Sequence, residues 1–406
     1  MKPRALIPLL AFVVTVGSVA TNIYIPALPA VKDYFGASVA QVQATFSVAL
    51  LTYATGMLCW GPIADRYGRR QALLAGIGLM ATGSLLGCFA QSLGALIVGR
   101  AVLAFGTATG LTVARTIVSD LYPERVARML ARLTIVSVIA SASAPVIGGA
   151  LTQWFGWRSV FVALVGMAAI AAWISWRLIP ETRREVRQPP DFREMSTVAW
   201  SLVRQPLYLS CVLQSSAAYS MFVVFISLAP YVMVTALGRP TTDYGLYFPF
   251  ISIGYMLGNW SVGRLTLRDQ HSSIVFGAGL QLVAALAALW FVAIGLRHPL
   301  WIFVPMGILY FGQGLFMPHL TAIAVNMAPA RAVGVGSSTL GFLNQSVSAL
   351  CVQLMGLVGA ASALPMLEFC AAAALVQLVV LRFSPPMETP PRRDDAPDLR
   401  LEAERA

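Results

Sequence analysis

The segment Gly61-Pro62-Ile63-Ala64-Asp65-Arg66-Tyr67-Gly68-Arg69-Arg70 sets one acid and three arginines between two apolar stretches, residues 43–60 and 72–90. Charges at so short a connection can pair with one another or grip lipid headgroups. Gly61 and Gly68 permit tight turns and close helix approach. Asp65 can pair with the adjacent Arg66 and hold a gate, while Arg69 and Arg70 can snorkel to the headgroups. A bias of basic residues toward one membrane face explains the arginines. It does not explain Asp65 or the glycines, so the segment reads as a gate.

Four more ionisable groups fall inside apolar stretches: Arg100, Arg115, His319 and Glu368. A guanidinium within a bilayer costs about 2.5–3.5 kcal/mol on insertion scales, so Arg100 is a functional candidate by default. Arg115 can cap its helix by pairing with Asp120, or can face a cavity. His319, whose ordinary pKa suits a proton carrier, can equally be a hydrogen-bonded packing residue. Glu368 reads as an interfacial or protonated bystander. The aromatic and sulfur side chains Tyr219, Met221, Phe222, Phe225, Tyr247, Phe248, Tyr255, Tyr310, Phe311, Phe316 and Met317 can line a pliable apolar cavity. Gln313, Asn344 and Gln345 add hydrogen-bonding groups to it.

The elements that must position these groups follow from composition. The chain has 406 residues, 58% hydrophobic and 11% charged, where a soluble domain carries roughly 25% charged residues. Lipid is its solvent. Continuous apolar runs such as Ala278–Ile294 and Ala371–Leu381 lack the period-two alternation of a barrel strand, so helices satisfy the backbone. An enzyme is not expected, because no nucleophile with its base and no His/Cys/Asp cluster appears. Gly76-Ile77-Gly78 lies within an apolar run and follows no strand, which argues against a nucleotide site. No metal, other cofactor or nucleic-acid partner is expected. Cys59, Cys88, Cys211, Cys351 and Cys370 read as small apolar helix residues.

Spans are expected near 5–27, 43–63, 72–90, 94–118, 128–152 and 157–179, then near 207–235, 243–264, 273–296, 301–327, 332–358 and 362–383. The first resembles a signal peptide at its start, but its apolar run is too long and is read as an uncleaved helix. With the N-terminus in the cytoplasm, the inner connections hold Arg66, Arg69, Arg70, Arg125, Arg128, Arg132, Arg183, Arg184, Arg187, Arg193, Arg204, Arg264, Arg268 and Arg331. The outer ones hold only Lys32, Arg158, Arg239 and Arg297. That asymmetry sets both termini inside. The result is an all-α polytopic membrane protein of twelve helices: a six-helix bundle over 1–180, a cytoplasmic central loop over 181–206, a second bundle over 207–384 and a disordered cytoplasmic tail over 385–406. An offset of 198 residues superposes Gly56 on Gly254, Arg66 on Arg264 and Arg70 on Arg268, and replaces Asp65 by Gly263, as two related halves would.

The spacing G-P-x-x-D-R-x-G-R-R resembles the loop between helices 2 and 3 of major facilitator superfamily transporters. Ala144-Pro145-Val146-Ile147-Gly148-Gly149 resembles the antiporter pattern G-P-x-x-G-G of its exporters, with Ala144 in place of the first glycine. Thr21-Asn22-Ile23-Tyr24-Ile25-Pro26-Ala27-Leu28-Pro29 and Ala114-Arg115-Thr116-Ile117-Val118-Ser119-Asp120-Leu121 resemble segments of the bicyclomycin/chloramphenicol-resistance subfamily. The resemblance implies the two-bundle fold and a proton-coupled exporter of a small organic molecule, drug or endogenous metabolite, in a bacterial inner membrane and working as a monomer. An importer or facilitator shares the frame; Pro145, Gly148 and Gly149 point to export. The family's Arg100 carries over, but Leu103 stands where its pattern has glutamine. Asn22 stands where it has an acid that can titrate, so that acid's coupling role does not carry over. A neutral or anionic substrate suits Arg100 and Arg115 better than a cation does. Asn22, Tyr24, Tyr219, Phe222, Gln313 and Phe316 are the candidate cavity residues.

Overall fold

The structure, a computed structural model, describes residues 6–122, 125–182, 192–262, 264, 269–329, 333–359 and 362–387. Arg183, Arg184, Arg187, Arg268, Arg331 and the tail from residue 388 lie outside them. The described residues form twelve long helices: α1 (Leu6–Asn22, continued by a 3-10 turn and the short α2, Leu28–Phe35), α3 (Val39–Tyr67), α4 (Arg69–Cys88), α5 (Leu93–Leu121), α6 (Val126–Phe155) and α7 (Arg158–Leu178). After them come α9 (Pro206–Tyr231), α10 (Thr241–Ser261), α11 (Gln270–Ala293), α12 (Leu300–Asn326), α13 (Val333–Val358) and α14 (Leu364–Phe383). Eleven are long and apolar enough to cross a membrane. The twelfth, α10, opens Thr241-Thr242-Asp243 and ends near Asn259, and these polar residues dilute its apolar run.

Local sequence explains the breaks. Pro26 lacks an N–H to donate to the Asn22 carbonyl, so the first span turns there before running on to Phe35. Ser38 and Gln41 form a reciprocal capping box that starts α3 at Val39, four residues before the expected start. Pro230 is followed by a π-helical turn, Val232–Ala236, that closes α9.

The first set of helices packs α3 and α4 on α5, α4 on α7, and α1 on α5 and α6. The second packs α10 and α11 on α12, α13 and α14 on α9, and α11 on α14. The sets meet where α3 lies on α13 and α6 on α10. The repeat is visible in this packing. A Cβ on Gly56 would reach Ala108 of α5 at 2.7 Å, and one on Gly254 would strike the Gly307 carbonyl of α12, so corresponding helix pairs close on corresponding glycines.

Two expectations need correction. The central connection contains a helix, α8 (Phe192–Val203), which rests on α13 and α9; its apolar residues share one face, which a search for long spans overlooks. The tail is packed at its start, where Met387 is fully buried and its N–H donates to His271 Nδ1 at 3.4 Å.

Candidate functional site

The charged segment is not a loop. Gly61 to Tyr67 complete α3, Arg69 begins α4, and Gly68 alone breaks the chain at φ 104°. Gly61 has no neighbour against which a Cβ would press, so no close approach is made there. The salt bridge of Asp65 runs one turn along to Arg69, where the sequence suggested Arg66; Arg66 lies over the Tyr67 ring at 5.3 Å. Arg69 does not snorkel. It is buried, and its Nε donates to Asp120 Oδ2 at 3.2 Å, so one guanidinium joins two carboxylates from α3 and α5. Asp120 is thereby the partner of Arg69 and not the cap partner of Arg115.

Glu181, which the sequence reading passed over, completes the cluster. Its carboxylate accepts from the backbone N–H groups of Arg69 at 2.9 Å and Arg70 at 3.2 Å, capping the positive end of α4. The Arg70 side chain donates to the Trp176 carbonyl. The cluster therefore binds α3, α4, α5 and the end of α7 into one unit. A Cβ on Gly68 would sit 2.6 Å from Glu181 Oε2 in a backbone conformation that side chains avoid. Gly68→Ala is expected to lower stability by about 1–3 kcal/mol, read as a fall in the thermal unfolding midpoint in detergent; an unchanged midpoint would remove Gly68 from this account.

Between the two helix sets lies a cavity of two adjoining compartments, about 220 and 270 Å³, with Ser141, Tyr219 and Phe222 in the walls of both. The first is bounded by Ser18, Asn22, Phe46, Tyr53, Arg100, Leu103 and Thr107 of one set and by Ile226 and Gln345 of the other. The second is bounded by Phe248, Tyr255, Tyr310, Gln313 and Met317. Asn22, Tyr219, Phe222 and Gln313 thus lie in the walls. Tyr24 and Phe316 do not. The turn after Asn22 carries Tyr24 behind Arg100, where its hydroxyl shares a hydrogen bond with Thr45 at 3.0 Å. Phe316 is fully buried against α11, 2.7 Å from the Cβ position of Gly277. Asn344 accepts from Ser215 and Ser216 at 2.9 and 2.8 Å and so ties α13 to α9.

Arg100 is 1% exposed and stands in the wall of the first compartment. Its guanidinium lies 4.3 Å from the Tyr24 ring, while Nε and Nη1 are buried with no acceptor among the described residues. The side-chain oxygen of Gln313 is likewise buried with no donor among the described residues. Asn22 is engaged, its Nδ2 donating to Ser18 O at 3.2 Å and Ser141 Oγ at 2.6 Å, which bridges α1 and α6. Arg115 is exposed on α5 and lines neither compartment. His319 is half-buried, lines neither compartment, and lies seven residues after Gly312 on the face of α12 that meets α11. Glu368 is exposed in the first turns of α14, away from the cavity.

One end of the cavity is shut. Gln43 Nε2 donates to Ser227 O at 3.1 Å, Ser47 Oγ to Gln353 Oε1 at 2.9 Å, Gln353 Nε2 to Ala40 O at 3.1 Å, and Tyr231 OH to Leu28 O at 3.4 Å. All four join the start of α3 or the α2 segment to the second set. The Pro145–Gly149 segment of α6 adds to this seal. A Cβ on Gly148 would strike the Ile23 carbonyl, one on Gly149 would lie 3.1 Å from Thr241 O, and one on Gly245 of α10 would lie 2.6 Å from Val146 Cα. The sequence signal for Gln43 and Gln353, amides inside apolar helices, was present but had no register to give it meaning.

Residues 10–352 match the model of the Major Facilitator Superfamily. The chain is 27% identical over 341 residues to Multidrug resistance protein D of Escherichia coli strain K12, covering 84% of this chain and 85% of that one. It is 27% identical over 388 residues to a Chloramphenicol resistance protein of Pseudomonas aeruginosa, covering 89% and 86%. Its fold is shared with a crystal structure of a D-xylose–proton symporter at a TM-score of 0.73 and 12% identity, over 96% of this chain and 100% of that one.

Proposed function

Since the chain belongs to the Major Facilitator Superfamily, and is a transporter and not an enzyme, we propose that it exports a small organic molecule across a bacterial inner membrane by alternating access, as a monomer energised by the proton-motive force. The observation that carries this reading is the cavity itself. Both helix sets wall it, and hydrogen bonds and glycine contacts between the sets close one end of it. By the distribution of basic residues the closed end faces outward and the termini face the cytoplasm. A cycle that breaks those contacts while closing the arginine-rich end would move cargo from inside to outside. The Asp65–Arg69–Asp120–Glu181 cluster keeps the first helix set rigid during that motion.

The names of the relatives support a drug as cargo. The amide at Asn22 instead favours a dedicated exporter of an endogenous product such as a siderophore or nucleoside over a broad cation pump. The test is accumulation of candidate compounds in cells lacking other efflux pumps, with and without a protonophore. Lower accumulation with the protein present, lost on adding the protonophore, is expected; equal or higher accumulation would favour the importer or facilitator reading.

We place His319 outside the energising step, because it lines neither compartment. His319→Gln is expected to keep the wild-type efflux rate and its response to pH. A collapse of pH-driven efflux in that variant would return the histidine to the coupling path.

A further inference from the structure

The walls of the cavity contain one full charge and it is positive. Neither compartment has a carboxylate in its wall. The chain's acids, apart from the peripheral Glu368, fall at helix ends, in connections, in the short α8 or in the tail. Among the described residues Arg100 therefore has no counter-ion within the membrane. The Tyr24 ring on one side offsets part of its desolvation, and Nε and Nη1 still lack acceptors. A buried cation without a partner is tolerated where something else supplies the negative charge. Lining the same compartment are Phe46, Leu50, Tyr53, Leu103 and Phe222, which offer apolar and aromatic surface to the rest of the bound molecule. Arg115, fifteen residues further along α5 and exposed, adds positive charge beyond the walls of the cavity.

Resting on the exporter reading above, we infer that the cargo is an organic monoanion with an apolar body, held by Arg100, and that the electrical part of the proton-motive force alone expels it. A bacterial cell is negative inside, so an anion leaving it moves down the potential. One charge is weighted by about 50-fold for each 100 mV. No residue of the cavity then has to exchange a proton with the cargo, which accounts for an amide at Asn22, in the wall beside Arg100, where an acid would neutralise the site.

Three probes of one shape test this on the purified full-length chain: 2-naphthalenesulfonate, 2-naphthylmethanol and 2-naphthylmethyl-trimethylammonium. The sulfonate is expected to bind at least tenfold more tightly than the ammonium, with the alcohol between. Arg100→Gln should erase the sulfonate's advantage. Asn22→Asp, which adds a carboxylate to the wall, should reverse the preference toward the ammonium, and it keeps the test decisive if Arg100→Gln does not fold. In liposomes with equal pH on both sides, a valinomycin–potassium potential should concentrate the sulfonate about 50-fold for each 100 mV. Equal or tighter binding of the alcohol or the ammonium would overturn the inference, as would sulfonate movement that requires a pH difference. If cells export the alcohol in a protonophore-sensitive way and the sulfonate does not bind, the exporter reading stands and the anion inference falls. If none of the three binds, the inference falls, and the accumulation assay above separately decides export.

Discussion

Arg100→Met is expected to reduce efflux by about tenfold or more, equivalent to about 1.4 kcal/mol or more of lost interaction, while the protein becomes more stable. The two effects have one cause. Arg100 is 1% exposed, with two guanidinium nitrogens lacking acceptors, so the empty transporter carries the cost of an unpartnered buried charge. Methionine fills much of the same space with apolar, adaptable atoms and removes that cost. The Tyr24 ring loses its cation, an interaction worth about 0.5–2 kcal/mol, and the balance still favours the variant. The measurements are efflux from cells at matched membrane expression and the thermal unfolding midpoint in detergent. A residue held for packing alone would show stability and transport falling together, and that outcome would remove Arg100 from the binding site.

The second large effect is expected at Gly148. Its hydrogen faces the Ile23 carbonyl, in the turn where the first span breaks, and a methyl group there would strike backbone that cannot swing aside. Gly148→Ala should therefore push α6 away from that turn and loosen the neighbouring seam, where Gly245 of α10 approaches Val146. The shut end of the cavity would open more often, and a transporter that cannot close one end cannot alternate. Efflux should fall by about tenfold or more. A cysteine placed at Gln43, fully buried in the seam, should react faster with a membrane-impermeant maleimide in the Gly148→Ala background than in the wild-type background. Wild-type labelling and efflux together would show that the glycine is there only because membrane helices tolerate it.

Both predictions draw on residues visible in the sequence, but for different reasons. Arg100 stood out because charge is rare and costly in lipid, a property of the residue and its apolar neighbours alone. Gly148 was noticed as part of the Pro145–Gly149 pattern, yet its contact with Ile23 depends on where α1 breaks. The glutamines whose bonds shut the cavity were visible as amides inside apolar helices, but nothing in the sequence gave their register. Gln353 lies more than three hundred residues from its partners Ala40 and Ser47 and meets them only because α3 lies on α13.

The sequence by itself determined the solvent, the helical class, the repeat of two halves and the identity of the rare intramembrane charges. Each follows from hydropathy, from the need to satisfy backbone groups in lipid, or from the cost of burying a charge. Only the tertiary structure decided that Asp65 answers to Arg69, that Glu181 caps α4, that Tyr24 and Phe316 stand behind the cavity wall, and that α8 interrupts the central connection. In water, a helix announces its buried face by its apolar stripe. In a bilayer the lipid is as apolar as a neighbouring helix, so the pattern of side chains does not tell which face meets lipid, which meets a partner and which meets the cargo.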